Sequence, residues 1–234
     1  KIEMEQEMQE IKLSNERIVV TGKGRVGAGI LETLKKLNII EVSSADYLNN
    51  KYDFPVFVNI DTMDYNQRCD NDYEDFHDFI NNPGSYESSF MKYACKSDIF
   101  IAGHYYGSGS PFLFTREDVR SSDFNISVVA DISCDIDGPV ATTIRSSSIS
   151  DPIYGYNPLT ESEDDFTKDN IVAVMAVDNL PCELPKDSSE DFGNQLIQNV
   201  IPLLDTDSKI LNNATLCRDG KLTDNFEYLR DYIS

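Results

Sequence analysis

The first apolar run of the chain, Ile18 to Thr21, is four residues long and reads as a short buried strand. After a glycine-rich break, Val26, Ile30, Leu31, Leu34 and Leu37 recur at helical spacing. The same grammar repeats downstream. Ile39–Val42, Pro55–Ile60, Asp98–Gly103, Asn125–Asp131 and Ile171–Val177 read as further strands. Helical stretches fall between them, around Tyr47 and Leu48, around Phe90, Tyr93 and Ala94, and from Thr115, where a capping hydroxyl precedes an acidic first turn. Strands alternating with helices predict an α/β fold on a parallel sheet. Asn125–Asp131 is nearly all apolar, so it is expected to be covered on both faces.

The flanks are different in kind. Ile2, Met4, Met8, Ile11 and Leu13 have roughly helical spacing in a polar lead, which reads as the tail of a helix entering from a preceding domain. Ser146–Pro152 reads as a polar connector, Ile153–Tyr156 as a short extended piece and Glu161–Asp165 as a solvated loop. A helix is predicted from about Lys186 to Leu203, and a last one from about Asp224 to Ile233 after a turn at Asp219-Gly220. The pattern divides the chain into an entering helix (1–16), a main α/β domain (17–180) and a C-terminal helical segment (181–234).

The chemistry begins at the break after Thr21. Gly22, Gly24 and Gly27 form Gly-x-Gly-x-x-Gly between a strand and a helix, the context a dinucleotide site requires. The first glycine turns the chain, the second lets backbone approach a pyrophosphate, and the third lets helix and strand pack closely. The helix N-terminus supplies free N–H groups and partial positive charge. This predicts a Rossmann-type, doubly wound parallel sheet; the competing reading is a tight strand–helix turn without a ligand. Lys23, Arg25 and Val26 belong to the same loop. Asp46 stands 24 residues after Gly22, near the spacing of about 20 for an acid on the adenosine ribose. Such an acid favours NAD over NADP, with NADP left open; Glu41 competes for the role, and Asp46 alternatively caps a helix. Ligands in open α/β sheets gather beyond the carboxyl ends of strands. Gly103, His104, Tyr105 and Asp131 occupy such ends.

Composition narrows the partners. The 234 residues carry a formal charge of −21, which disfavours nucleic acid and anionic membranes. An anionic cofactor therefore needs a locally positive pole, from backbone amides, Lys23 and Arg25. No run of about 18 apolar residues predicts a membrane span. Five scattered cysteines show no metal-binding spacing and read as reduced thiols of a cytoplasmic protein. His77, in the acidic run Asp70–Ile80, reads as a solvated side chain, and that run lacks the glycine of a calcium loop.

Three segments resemble the lysine–ketoglutarate reductase (saccharopine dehydrogenase, lysine-forming) branch of the alanine dehydrogenase and transhydrogenase superfamily. They are Val129–Asp135 with Thr142–Tyr156, then Ala176-Val-Asp-Asn-Leu-Pro-Cys-Glu-Leu-Pro-Lys-Asp-Ser-Ser-Glu-Asp-Phe-Gly193, then Leu216–Tyr232. The likeness spans most of the chain except about 50 to 90. It implies a Rossmann domain inserted into a substrate domain to which the C-terminal segment returns. It also implies hydride transfer between a nicotinamide cofactor and the C–N bond of an adduct of an amino acid and a 2-oxo acid. By carry-over, Gly22 to Val26 hold the pyrophosphate, Asp46 the ribose, and Gly103, His104 and Tyr105 the cofactor edge. Asp131, Asp178, Asn179 and Leu180 line the nicotinamide and the cleft. The family's proton-transferring Lys and His have no counterpart here, so no catalytic residue is assigned. Arg145 and Lys186 are the nearby cations available to substrate carboxylates. A binding module without turnover, or an alanine dehydrogenase, are the alternatives, and homo-oligomerisation is left open.

Overall fold

A computed structural model describes residues 1–70, 74–107 and 109–233. Eight strands form the main sheet: β1 (Arg17–Thr21), β2 (Ile40–Glu41), β3 (Val56–Ile60), β4 (Ile99–Ala102), β5 (Val128–Asp131), β6 (Ile153–Asn157), β7 (Ser162–Asp164) and β8 (Val172–Met175). Their order is β2-β3-β1-β4-β5-β8-β6-β7. The pairs from β2 through β8 are parallel, whereas β6 pairs antiparallel with both β8 and β7. The fold is thus the expected Rossmann-type α/β sheet with an antiparallel edge. Glu161–Asp165 is not the solvated loop its polarity suggested: residues 162–164 complete a hairpin with β6, and Asp164 accepts from Asn157 Nδ2 at 3.0 Å.

Alternation along β1 explains why the sheet is covered twice. Ile18 and Val20 point to one face, where they meet Ile30 and Leu34 of helix α2 (Arg25–Lys36). Val19 points to the other, into a larger core with Tyr47, Phe90, Phe100 and Phe114. Burying each such side chain is worth roughly 1.5–3 kcal/mol, so the two faces together fix the register of β1. Val128, by contrast, is exposed, although Ile126 and Val129 on either side of it are buried, so the strand expected to be covered along its length is interrupted there.

A small antiparallel pair, Asn66–Arg68 with Tyr86–Ser88, projects after β3. It brackets helices that include α5 (Phe76–Asn81). The chain separates into two compact units, Lys1–Glu183 and Leu184–Ser234. The second holds an α-helix, Pro185–Asn199, that stops short of Leu203, followed by a 3-10 turn at Ile201–Leu203. Its closing stretch, Asp224–Tyr232, is 3-10 and broken at Phe226 rather than one α-helix.

Candidate functional site

Each predicted strand–loop junction can be placed against one cavity of about 780 Å³, within the usual range for small-molecule sites. It lies beyond the carboxyl ends of β3, β1, β4 and β5. Its wall includes Gly22–Val26, Asp61 and Thr62, Gly103–Gly107, and Ser133 with Asp135.

The three glycines do different work. Gly22 has φ +96, and a Cβ there would lie 2.4 Å from the Gly103 carbonyl oxygen. A Cβ on Gly27 would lie 2.0 Å from the Gly22 carbonyl oxygen. These two are forced by backbone packing. Gly24 is not: nothing within 4 Å would meet a Cβ at that position. It is the N-cap of α2, so the amides of the first helical turn, which have no partner inside the helix, follow it directly at the cavity wall. An open glycine ahead of unpaired amides is a cradle for an anion. Lys23 borders it too, its Nζ 3.8 Å from Asp64 Oδ2.

His104 is 93% out of contact with solvent by area, its exposure being 7%. Nδ1 is hydrogen-bonded to Thr21 Oγ1 at 2.8 Å, and buried Nε2 has no protein partner among the described residues. Burial pushes the imidazole down to about 4, against a smaller opposing pull from Asp131, so it is neutral at physiological pH. A neutral, fixed imidazole with one nitrogen unsatisfied beside a cavity is suited to a hydroxyl or amide of a ligand.

Asp131 does not border the cavity. It is fully buried and accepts from Ser133 N (3.0 Å), Ser133 Oγ (2.5 Å), Cys134 N (3.1 Å) and Thr143 Oγ1 (2.6 Å). Its carboxylate ties down the loop that carries Ser133 and Asp135 to the wall. Burial, then the Asp131 charge, raise the Asp135 carboxyl above its ordinary range. A half-buried carboxyl of raised pKa on a cavity wall is a candidate proton-transfer group.

Asp46 also lies outside the wall. Its backbone N–H donates to Ser43 Oγ at 3.1 Å, and Ser43 Oγ donates to its carboxylate at 2.6 Å, so it serves the first turn of Ser44–Asn49. The reason is topological: β2, which leads to Asp46, is the sheet edge, and β3 is the neighbour of β1. The acid at the tip of that neighbour is Asp61, on the cavity wall. Applying the strand-end rule to Pro55–Ile60, as to the other strands, would have found it. Asp178, Asn179 and Leu180 are not part of this wall; Asp178 and Asn179 are exposed. Arg145 is bound to Glu163 through Nε (2.7 Å) and Nη2 (2.8 Å) and lies 4.5 Å from the Tyr154 ring centre, so it is committed to the sheet edge. Lys186 belongs to the second unit. His77 is exposed, beside Asn81. Among the described residues no cluster of His, Cys, Asp or Glu could hold a metal ion, and the cysteines are free thiols. No described helix is long and apolar enough to cross a membrane.

Comparison with known proteins places the chain in a family. The alanine dehydrogenase/PNT C-terminal domain family matches residues 56–226. The chain is similar to alpha-aminoadipic semialdehyde synthase of Arabidopsis thaliana (26% identical, 65% of this chain and 15% of that protein) and to the mitochondrial alpha-aminoadipic semialdehyde synthase of Mus musculus (24%, 65% and 20%). It is also similar to the NAD(+), L-lysine-forming saccharopine dehydrogenase of Schizosaccharomyces pombe (33%, 48% and 30%). The matched parts of the chain thus span less than a third of each of these relatives.

Proposed function

The chain belongs to the alanine dehydrogenase/PNT C-terminal domain family, and on that premise we propose that it binds a nicotinamide dinucleotide for a saccharopine dehydrogenase-type oxidoreductase. The reaction would act on the C–N bond of an adduct of an amino acid and a 2-oxo acid, lysine and 2-oxoglutarate being the pair. The observation that carries the reading is the division among the glycines. Two are packed against backbone, while Gly24 alone of the three opens on free space at a helix N-terminus.

The residues fit the cofactor. Gly22 to Val26 and the amides opening α2 would hold the diphosphate. Asp61 would accept from the adenosine ribose hydroxyls, which favours NAD, since its charge repels a 2′-phosphate. His104 Nε2, otherwise unsatisfied, would meet a polar group of the cofactor's nicotinamide half, with Gly103 and Tyr105 beside it. Asp131 holds the Ser133–Asp135 loop, and Asp135 on the wall would keep or release a proton. When bound, the nicotinamide ring supplies or accepts the hydride. The cations of the wall, Lys23 and Arg25, stand at the phosphate end. The several carboxylates of the substrates therefore call for cationic groups outside this cavity.

Calorimetric titration with NADH tests the reading. The chain should bind NADH, and Gly24→Val should abolish binding while circular dichroism stays unchanged, because a Cβ at that position has no protein atom within 4 Å. Equal affinity in the two proteins would overturn the assignment.

A further inference from the structure

Helix α5 presents two unlike faces. On one, Phe79 is buried edge-on to Tyr86, with ring centres 5.1 Å apart. Arg68 secures this side: its guanidinium reaches Asp78 (2.5 Å) and Asp70 (2.7 and 2.8 Å) and lies 5.7 Å from the centre of the Tyr86 ring. Tyr86 in turn donates to Asp78 Oδ2 at 2.7 Å. The helix is thus held in one orientation by an ion-paired, aromatic underside. Its other face carries Phe76 and Ile80, four residues apart and so one above the other. They are 54% and 58% exposed, and both border the cavity, which the buried Phe79 also reaches. Pro83 extends the same wall.

Charge sorts what can lie there. Glu74 and Asp75 are on or beside this helix, and Asp61, on the same cavity wall, precedes it. A phosphate is repelled from that end of the cavity and attracted to the amides after Gly24. A flat, neutral, apolar-faced ring is not repelled, and it covers the two exposed side chains. We propose that Phe76 and Ile80 form the face on which the adenine ring of the dinucleotide packs. This rests on the reading above, in which Asp61 takes the adenosine ribose. The segment around residue 76 then acts as the base-recognition wall of the site.

The test separates the two halves of the cofactor. ADP, reduced nicotinamide mononucleotide and NADH are titrated calorimetrically into the unaltered chain and into a Phe76→Ser/Ile80→Ser variant. Both side chains are largely exposed, so the fold should persist, and Phe76→Leu serves as the conservative control. We expect the double variant to lose about tenfold or more in affinity for ADP and NADH, with the mononucleotide unaffected and the leucine variant near normal. Unchanged ADP affinity, with NADH still bound by the unaltered chain, overturns the wall and leaves the dinucleotide reading standing. A loss shared equally by the mononucleotide overturns it as well. Failure of the unaltered chain to bind NADH overturns both.

Discussion

Asp46 and Asp61 show how two similar carboxylates are given different work by position alone. Asp46 satisfies the spacing rule measured along the chain, but it is held by Ser43 in a helix cap. Asp61 follows the strand paired with β1, from Arg17 opposite Val56 to Thr21 opposite Ile60, and so arrives at the cavity. Asp61 is the N-cap of the short helix Thr62–Tyr65: its N–H donates to Asp64 Oδ2 at 2.7 Å, and Thr62 N–H donates to the Asp61 carboxylate at 2.8 Å. The carboxylate is therefore oriented before any ligand arrives. Asp61→Ala should reduce the preference for NADH over NADPH by about tenfold, the scale of one charge-assisted hydrogen bond of ~1.5 kcal/mol, while Asp46→Ala leaves the preference unchanged. Competitive titration of the two reduced cofactors checks this, and a response to Asp46 instead of Asp61 would return the ribose to the sheet edge.

At the scale of elements, the strand–turn–helix of residues 17–36 is a unit whose parts lock each other. A methyl group at Gly27 has to displace the Gly22 carbonyl, and Gly22 is itself lodged against Gly103. Gly27→Ala should cost about 1–3 kcal/mol of stability, as overpacking generally does, whereas Gly24→Ala should cost much less. Urea unfolding of the two variants compares them directly, and equal losses would contradict the division of labour among the glycines. This unit was legible in the sequence because all its signals are local: a four-residue apolar run, a glycine spacing and a helical stripe. The parallel strands β3, β4, β5 and β8 were legible for the same reason. The order of β2 and β3 was not, since a two-residue edge strand and a five-residue inner one follow α2 in turn and pairing is a long-range choice. Nor was β7, whose polar Ser162, Glu163 and Asp164 carry no strand signal and are extended by pairing with Gly155–Asn157. Phe76 and Ile80 read as part of an acidic run because only tertiary packing turns them towards the cavity.

For the whole molecule, the governing quantity is charge: 41 acidic against 20 basic residues. An anionic dinucleotide approaching this surface meets repulsion over most directions, and attraction only near the opening of α2. Lys23 does little to enlarge that attraction, because Asp64 lies within 3.8 Å of its ammonium group. The two fields differ in range. The distributed repulsion acts across tens of ångströms at low salt, where the screening length is about 30 Å at 0.01 M, and is cut off near 8 Å at 0.15 M. The contacts of a phosphate with backbone amides act at hydrogen-bond distance, where salt screens them least. Raising salt from 0.01 to 0.15 M should therefore speed NADH association several-fold, the reverse of a cationic site that steers its anion in. Stopped-flow measurement of association across that range decides the matter: a rate that falls with salt would mean that a long-range positive field, and not the short-range amide cradle, draws the cofactor to the chain.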